Sequence, residues 1–205
     1  MCPFFIMAVR TGDTVHIILG TEIWGRTAHV DAMAESLKEI AAAVTVVDPY
    51  DGTDQNFASE EEAYASFQNA GGYESLEKKI AAAMEETEDT AYLLGFSAGA
   101  GAIWSALNNT ENANAKAAWC FYSSAIYKMM EHTPSIPVEM IFPDSEKNFD
   151  VEAIARDLQD KPNVQCYITP FAHGFLNPAY DHFDQEVYNF WIDWIKDQIT
   201  IASQA

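Results

Sequence analysis

From residue 14 onward the chain alternates short apolar runs with longer stretches whose apolar positions recur at helical spacing. Residues 14–20 (TVHIILG) are mostly apolar and end in glycine, which predicts a buried strand. Between residues 27 and 42, Val30, Met33, Ala34, Leu37, Ile40 and Ala41 share one helical face, which predicts an amphipathic helix. Residues 43–48 (AVTVVD) read as a second buried strand, and PYDGTDQN as a loop by its Pro, Gly, Asp and Asn content. Residues 60–67 suit a short helix, and residues 73–86, preceded by a glycine pair, a longer one. Residues 90–95 (TAYLLG) form a third strand, with a helix over 98–107 directly behind it. Strands are predicted at 117–122, 138–142 and 164–169, with Pro143 stopping the middle one. Helices are predicted at 151–159 and, rich in aromatics, at 184–201. The opening MCPFFIMAV is read as a strand or a packed end, because it lacks the basic start and the length of a leader.

Apolar strands alternating with amphipathic helices predict a mostly parallel sheet covered on both faces. The expected architecture is a compact three-layer α/β/α sandwich, one domain over residues 1–205, without repeats or linkers. In such sheets ligands gather at the carboxyl ends of the strands, so chemistry is sought in the loops that follow them.

Composition narrows the choice. With 31 Asp+Glu against 11 Lys+Arg, the formal net charge is −20. Such a surface repels phosphate backbones and anionic headgroups, so neither nucleic acid nor membrane is expected as a partner. Cys2, Cys120 and Cys166 are far apart and form no CxxC pair, which argues against zinc and a disulfide framework. Cys120 and Cys166 are read as buried small hydrophobes. No run approaches the ~18 apolar residues of a membrane span. A soluble cytoplasmic protein is expected, monomeric or homodimeric.

The stretch Gly95-Phe96-Ser97-Ala98-Gly99 sits between a predicted strand and a predicted helix. Gly-x-Ser-x-Gly in that context is the nucleophile-elbow pattern. The turn is so sharp that the serine stands clear of the sheet, and only glycine leaves room where neighbouring chain passes. The helix behind it aims its N–H groups at the place where negative charge would develop. A glycine-rich turn with a solvated serine is the plain alternative.

A serine hydroxyl needs a base, and the base an orienting acid, in the chain order Ser, Asp/Glu, His. Of the histidines after Ser97, His132 falls before the fifth strand and His182 near the last helix. His173 lies in the loop ITPFAHGFLNP after the sixth strand, where the base belongs. The acid is expected in IFPDSEKNFD after the fifth strand. Asp144 follows the strand too soon to turn back easily, Glu146 has better reach, and Asp150 suits a helix cap. Ala98 would supply one oxyanion N–H and the loop GTEIWGRT the other; Glu22 in that loop points toward the site. No metal and no cofactor is called for.

These residues, with TEIWGRTAHVDAMAESL, VTVVDPYDG, GFSAGA, IFPDSEKNFD and PFAHGFLNP in order, resemble the landmarks of the dienelactone hydrolase family of α/β-hydrolases. The resemblance runs from about residue 15 to 195. It implies Ser97 as nucleophile, His173 as base, and the N–H groups of Ile23 and Ala98 as oxyanion hole. It places the triad acid at the fourth residue of a Gly-x-x-Asp pattern, here Pro143-Asp144-Ser145-Glu146, so Glu146 takes that place. Glu22 matches a family glutamate that contacts the nucleophile and helps control its protonation. Two departures stand out. The founding enzymes use cysteine, and they hold a substrate carboxylate with arginines absent here around His173. The expected activity is hydrolysis of small carboxylic esters, with lactones and thioesters as further options. A non-catalytic α/β-hydrolase-like binding protein is the alternative.

Overall fold

The computed structural model describes residues 14–109 and 114–204; the expectation for MCPFFIMAV lies outside them. The strands are β1 (Val15–Gly20), β2 (Ala43–Val47), β3 (Thr90–Phe96), β4 (Ala115–Phe121), β5 (Val138–Phe142) and β6 (Val164–Ile168). They form one sheet in the order β2-β1-β3-β4-β5-β6, parallel throughout. The helices are α1 (Ala28–Leu37), α2 (Glu60–Asn69), α3 (Gly72–Glu86), α4 (Ala98–Asn109), α5 (Val151–Gln159) and α6 (Gln185–Ser203).

Because strand side chains alternate, the sheet feeds two cores, with β6 at its edge contributing to only one. Ile18, Leu93, Ala118, Cys120 and Met140 pack with buried residues of α2, α3, α4 and α5. Ile17, Leu19, Leu94, Trp119, Phe121 and Ile141 face the other way, onto Met33 and Leu37 of α1 and Ile192, Ile195 and Ile199 of α6. The expected three-layer α/β/α arrangement is therefore the observed one.

Helix starts follow their caps. The side chains of Thr27, Ser59, Asp150 and Asp184 each accept from a backbone N–H one turn inside α1, α2, α5 and α6. The first helix ends at Leu37 rather than running to residue 42. The chain then tightens into bonds spanning three residues, Lys38 N to Glu35 O, Glu39 N to Ser36 O and Ile40 N to Leu37 O. Ile40 and Ala41 still pack on the same core, so the apolar period outlives the helix.

Cys120 is buried, but Cys166 is only partly so, because β6 is the sheet's edge. Tyr167 and Ile168 there are 43% and 48% exposed. The free edge is plugged by one side chain: Cys166 N donates to Gln159 Oε1 (2.8 Å), and Gln159 Nε2 donates to Val164 O (3.2 Å). Occupying those groups blunts the edge as a template for another strand.

The elbow is set by close backbone packing. Gly95 on β3 is level with Gly20 on β1. A Cβ on Gly95 would meet the Ala100 backbone at 2.8 Å. A Cβ on Gly99 would overlap the Gly20 carbonyl and lie 2.7 Å from Thr21 O. The start of α4 is thus pressed against the loop leaving β1. Gly99→Ala is expected to cost about 1–3 kcal/mol or more through overpacking. Urea unfolding checks this, and a variant as stable as the parent contradicts the contact.

Candidate active site

Ser97 sits between β3 and α4 with φ +47°, the strained left-handed region. Its N–H donates to Phe121 O (2.9 Å), which ties the turn to β4. The side chain points out over the carboxyl ends of the strands, and α4 begins at the next residue, Ala98.

His173 arrives on the loop after β6. Its Nε2 lies 3.1 Å from Ser97 Oγ, and its Nδ1 lies 2.7 Å from Glu146 Oε1. An ionised carboxylate only accepts, so Nδ1–H donates to Glu146, and Nε2 is left to accept from the serine hydroxyl. Glu146 stands on the loop after β5, and its side chain is 7% exposed. Asp144, the other candidate acid, is turned away: its N–H donates to Phe171 O, and its exposed carboxylate accepts from Ser145 Oγ. Asp150 caps α5. His132 is partly buried and pairs with Glu131 (3.5 Å), not with the serine.

Two further imidazoles hold the His173 loop, and sequence reading passed over both roles. His182 Nε2 donates to the carbonyl of His173 itself (2.8 Å). His29 of α1 donates to Leu176 O (2.8 Å), its ring packed on Phe183 and Tyr188. Such contacts join residues far apart in sequence and leave no local signal.

Glu22, in the loop after β1, is buried, and its Oε1 accepts from Tyr122 Oη (2.8 Å). The Tyr122 ring packs edge-on against the His173 ring at 5.1 Å. Burial pushes the Glu22 carboxyl up, against the opposing pull of His173 and the Tyr122 hydroxyl. Burial also pushes the Tyr122 hydroxyl up, with the Glu22 charge adding to it. For His173, burial disfavours the imidazolium. The Glu146 hydrogen bond and the charges of Glu146, Glu22 and Glu60 outweigh it, so the net shift is upward.

Ile23 follows Glu22 and lines the same cleft as Ser97; its carbonyl accepts from Tyr50 Oη (2.7 Å). Ala98 is fully buried at the head of α4, where helix N–H groups lack intrahelical partners. The cleft, about 520 Å³, is open to solvent. Glu60 and Tyr64 of α2, Tyr73 of α3, Tyr180 and Lys147 also line it. None of these was singled out from sequence. The signal was available only in topology, since they follow the carboxyl ends of β2, β5 and β6. Trp24 packs edge-on to Tyr180 (6.1 Å) rather than lining the cleft itself. Among the described residues, no three His, Cys, Asp or Glu side chains are grouped to hold a metal, and no helix is long and apolar enough to cross a membrane.

The parallel sheet and the serine at its strand-to-helix corner have the α/β-hydrolase fold. More narrowly, this is the fold of dienelactone hydrolase-like proteins. A dienelactone hydrolase candidate from Klebsiella pneumoniae subsp. pneumoniae MGH 78578 superposes with TM-score 0.71 and 15% identity, over 95% of this chain and 89% of that one. P91, a dienelactone hydrolase-like promiscuous phosphotriesterase from metagenomic libraries, gives TM-score 0.69 and 12% identity, over 94% and 88%. Other structures with this fold are described as esterases. In sequence, the chain is 28% identical over 193 residues to the uncharacterized protein YczH of Bacillus subtilis (strain 168), covering 88% of this chain and 90% of that protein. No family model matches the chain.

A raised folded pKa means that protonated His173 adds stability in full below pH 6.5, and that this is lost as pH rises through the folded value. NMR titration of the His173 ring is expected to give a midpoint above 6.5. Glu146→Gln should lower it, because the charge of the direct partner that opposes burial is then gone. Asp144→Asn should leave it in place. An unchanged midpoint in Glu146→Gln contradicts the pairing.

Proposed function

We propose that the protein is a serine hydrolase of carboxylic esters, a serine-nucleophile member of the dienelactone hydrolase family. The observation that carries this reading is the continuous hydrogen-bonded chain from Ser97 Oγ through His173 to Glu146, at 3.1 and 2.7 Å. Ser97 Oγ attacks the ester carbonyl carbon while its proton passes to His173 Nε2. The carbonyl oxygen becomes an anion held by the N–H groups of Ile23 and Ala98. The tetrahedral intermediate collapses, the C–O bond to the alcohol breaks, and Nε2–H protonates the leaving oxygen. Water, deprotonated by His173, then attacks the acyl carbon; the bond from that carbon to Ser97 Oγ breaks, Nε2–H returns its proton to Oγ, and the acid leaves. Glu146 keeps Nδ1–H toward itself and stabilises the imidazolium formed twice per turnover.

A thiolate can be stored as an ion pair with a histidine, but a serine cannot. His173 must therefore be neutral at the start of each cycle, and its raised pKa sets an acidic limb above the ordinary histidine value. Glu22 acts from behind: it orients Tyr122 against His173 and adds negative potential that favours the imidazolium. The substrate is a small ester, lactone or thioester, and the cleft volume suits one. The setting is cytoplasmic, the chain monomeric or homodimeric, with no part for membrane or nucleic acid.

The test is hydrolysis of p-nitrophenyl esters of graded acyl length, with fluorophosphonate labelling alongside. Ser97→Ala should abolish labelling and lower kcat by at least ~10⁴. Glu146→Gln should lower it by ~10⁴, as other triads lose when the acid can no longer fix the imidazole. Well-folded protein that neither labels nor hydrolyses would instead be a non-catalytic binding protein with a hydrolase fold.

A further inference from the structure

The wall of the cleft formed by α2 and α3 has a composition that the hydrolytic chemistry itself does not require. Glu60 opens α2, and Tyr64 follows one turn later on the same helical face. Tyr64 is 51% exposed, and it stands in the cleft. Tyr73 is held edge-on against Phe67 at 5.1 Å, and Tyr180 against Trp24 at 6.1 Å, so both rings are fixed. Three tyrosines and the Glu60 carboxylate, besides Glu146 of the hydrogen-bonded chain, thus line one cleft with Ser97. Aromatic faces and a carboxylate together attract an ammonium group and give a carboxylate nothing to bind.

Three carboxylates act together on the cleft. His173 and Tyr180 both feel Glu22, Glu60 and Glu146. Among the described residues, none that lines the cleft is an arginine. Lys147 does line it, carried on the exposed loop after β5 as a flexible, strongly hydrated point charge. The net charge of −20 adds a long-range field that draws cations and repels anions.

Resting on the hydrolase reading above, we propose that Glu60, with Tyr64, Tyr73 and Tyr180, selects esters carrying an ammonium group over neutral ones, and places esters carrying a carboxylate last.

The probes are three p-nitrophenyl esters with a trimethylammonium, a tert-butyl or a carboxylate group at the same distance from the carbonyl. The cationic ester should exceed its neutral isostere about tenfold in kcat/KM at low salt, the range a partly desolvated cation–aromatic contact supplies. The carboxylate ester should fall below both. Glu60→Gln should bring the cationic-to-neutral ratio toward one, and 1 M salt should shrink it, since the Debye length is then only about 3 Å. Equal rates for the three, all lost in Ser97→Ala, would overturn the selectivity and leave the hydrolase reading standing. A preference for the carboxylate ester that Lys147→Met removes would give recognition to that lysine instead and equally overturn the proposal. No Ser97-dependent hydrolysis of any of the three would end both.

Discussion

Two glycines lie against each other at the carboxyl end of the sheet, and everything around the site depends on that contact. Gly99 stands where any side chain would overlap the carbonyl of Gly20. With that distance kept, the first turn of α4 and the loop leaving β1 share one corner. Ser97 is lifted into a left-handed backbone there, and Ile23 is brought into the same cleft. Gly20 and Gly95 are paired across β1 and β3, so both loops leave the sheet at one level. The parallel order of the strands then supplies the rest: β5 and β6 end on the same side, and their loops deliver Glu146 and His173.

Electrostatics at this corner is a contest between burial and charge. Burial alone would keep His173 neutral and discourage ionisation of Glu22. Glu146, in direct contact, and Glu22 and Glu60, farther off, tip the histidine the other way. For the proposed reaction this is the useful direction. The imidazolium is the species that must be made, and carboxylates arranged before the reaction lower its cost without having to reorganise. The same negative field bears on what enters the cleft, which links the chemistry to the choice of substrate.

The fold was legible in the sequence because its signals are local. Each buried strand is a short apolar run, and the helices have repeating apolar faces, four of them with a capping side chain at the start. The differences come where tertiary structure intervenes. Residues 38–42 keep the apolar period of α1 while leaving the helix, because the chain has to return to the sheet. Cys166 lies in an apolar run but sits on an edge strand, and edge position is a property of topology. At the site, Ser97, His173, Glu146 and Ala98 follow from motif and loop position, whereas Ile23 and the role of Glu22 rest on the family resemblance; the structure links Ser97, His173 and Glu146 by hydrogen bonds in that order. Glu60, Tyr64, Tyr73, Tyr180, His29 and His182 were not. They belong to helices and loops that only the folded chain gathers around the cleft. Glu146 rather than Asp144 faces the histidine, the Asp144 carboxylate lying exposed beside Ser145 Oγ.

The central claim is that the Ser97 oxygen faces both an imidazole and two amides prepared for an anion. The most direct measurement is a crystal structure of the protein after reaction with a fluorophosphonate. The account predicts phosphorus bonded to Ser97 Oγ, and a phosphoryl oxygen within hydrogen-bonding distance of the N–H groups of Ile23 and Ala98. An adduct on another residue, or one on Ser97 whose oxygen points to solvent, would contradict it.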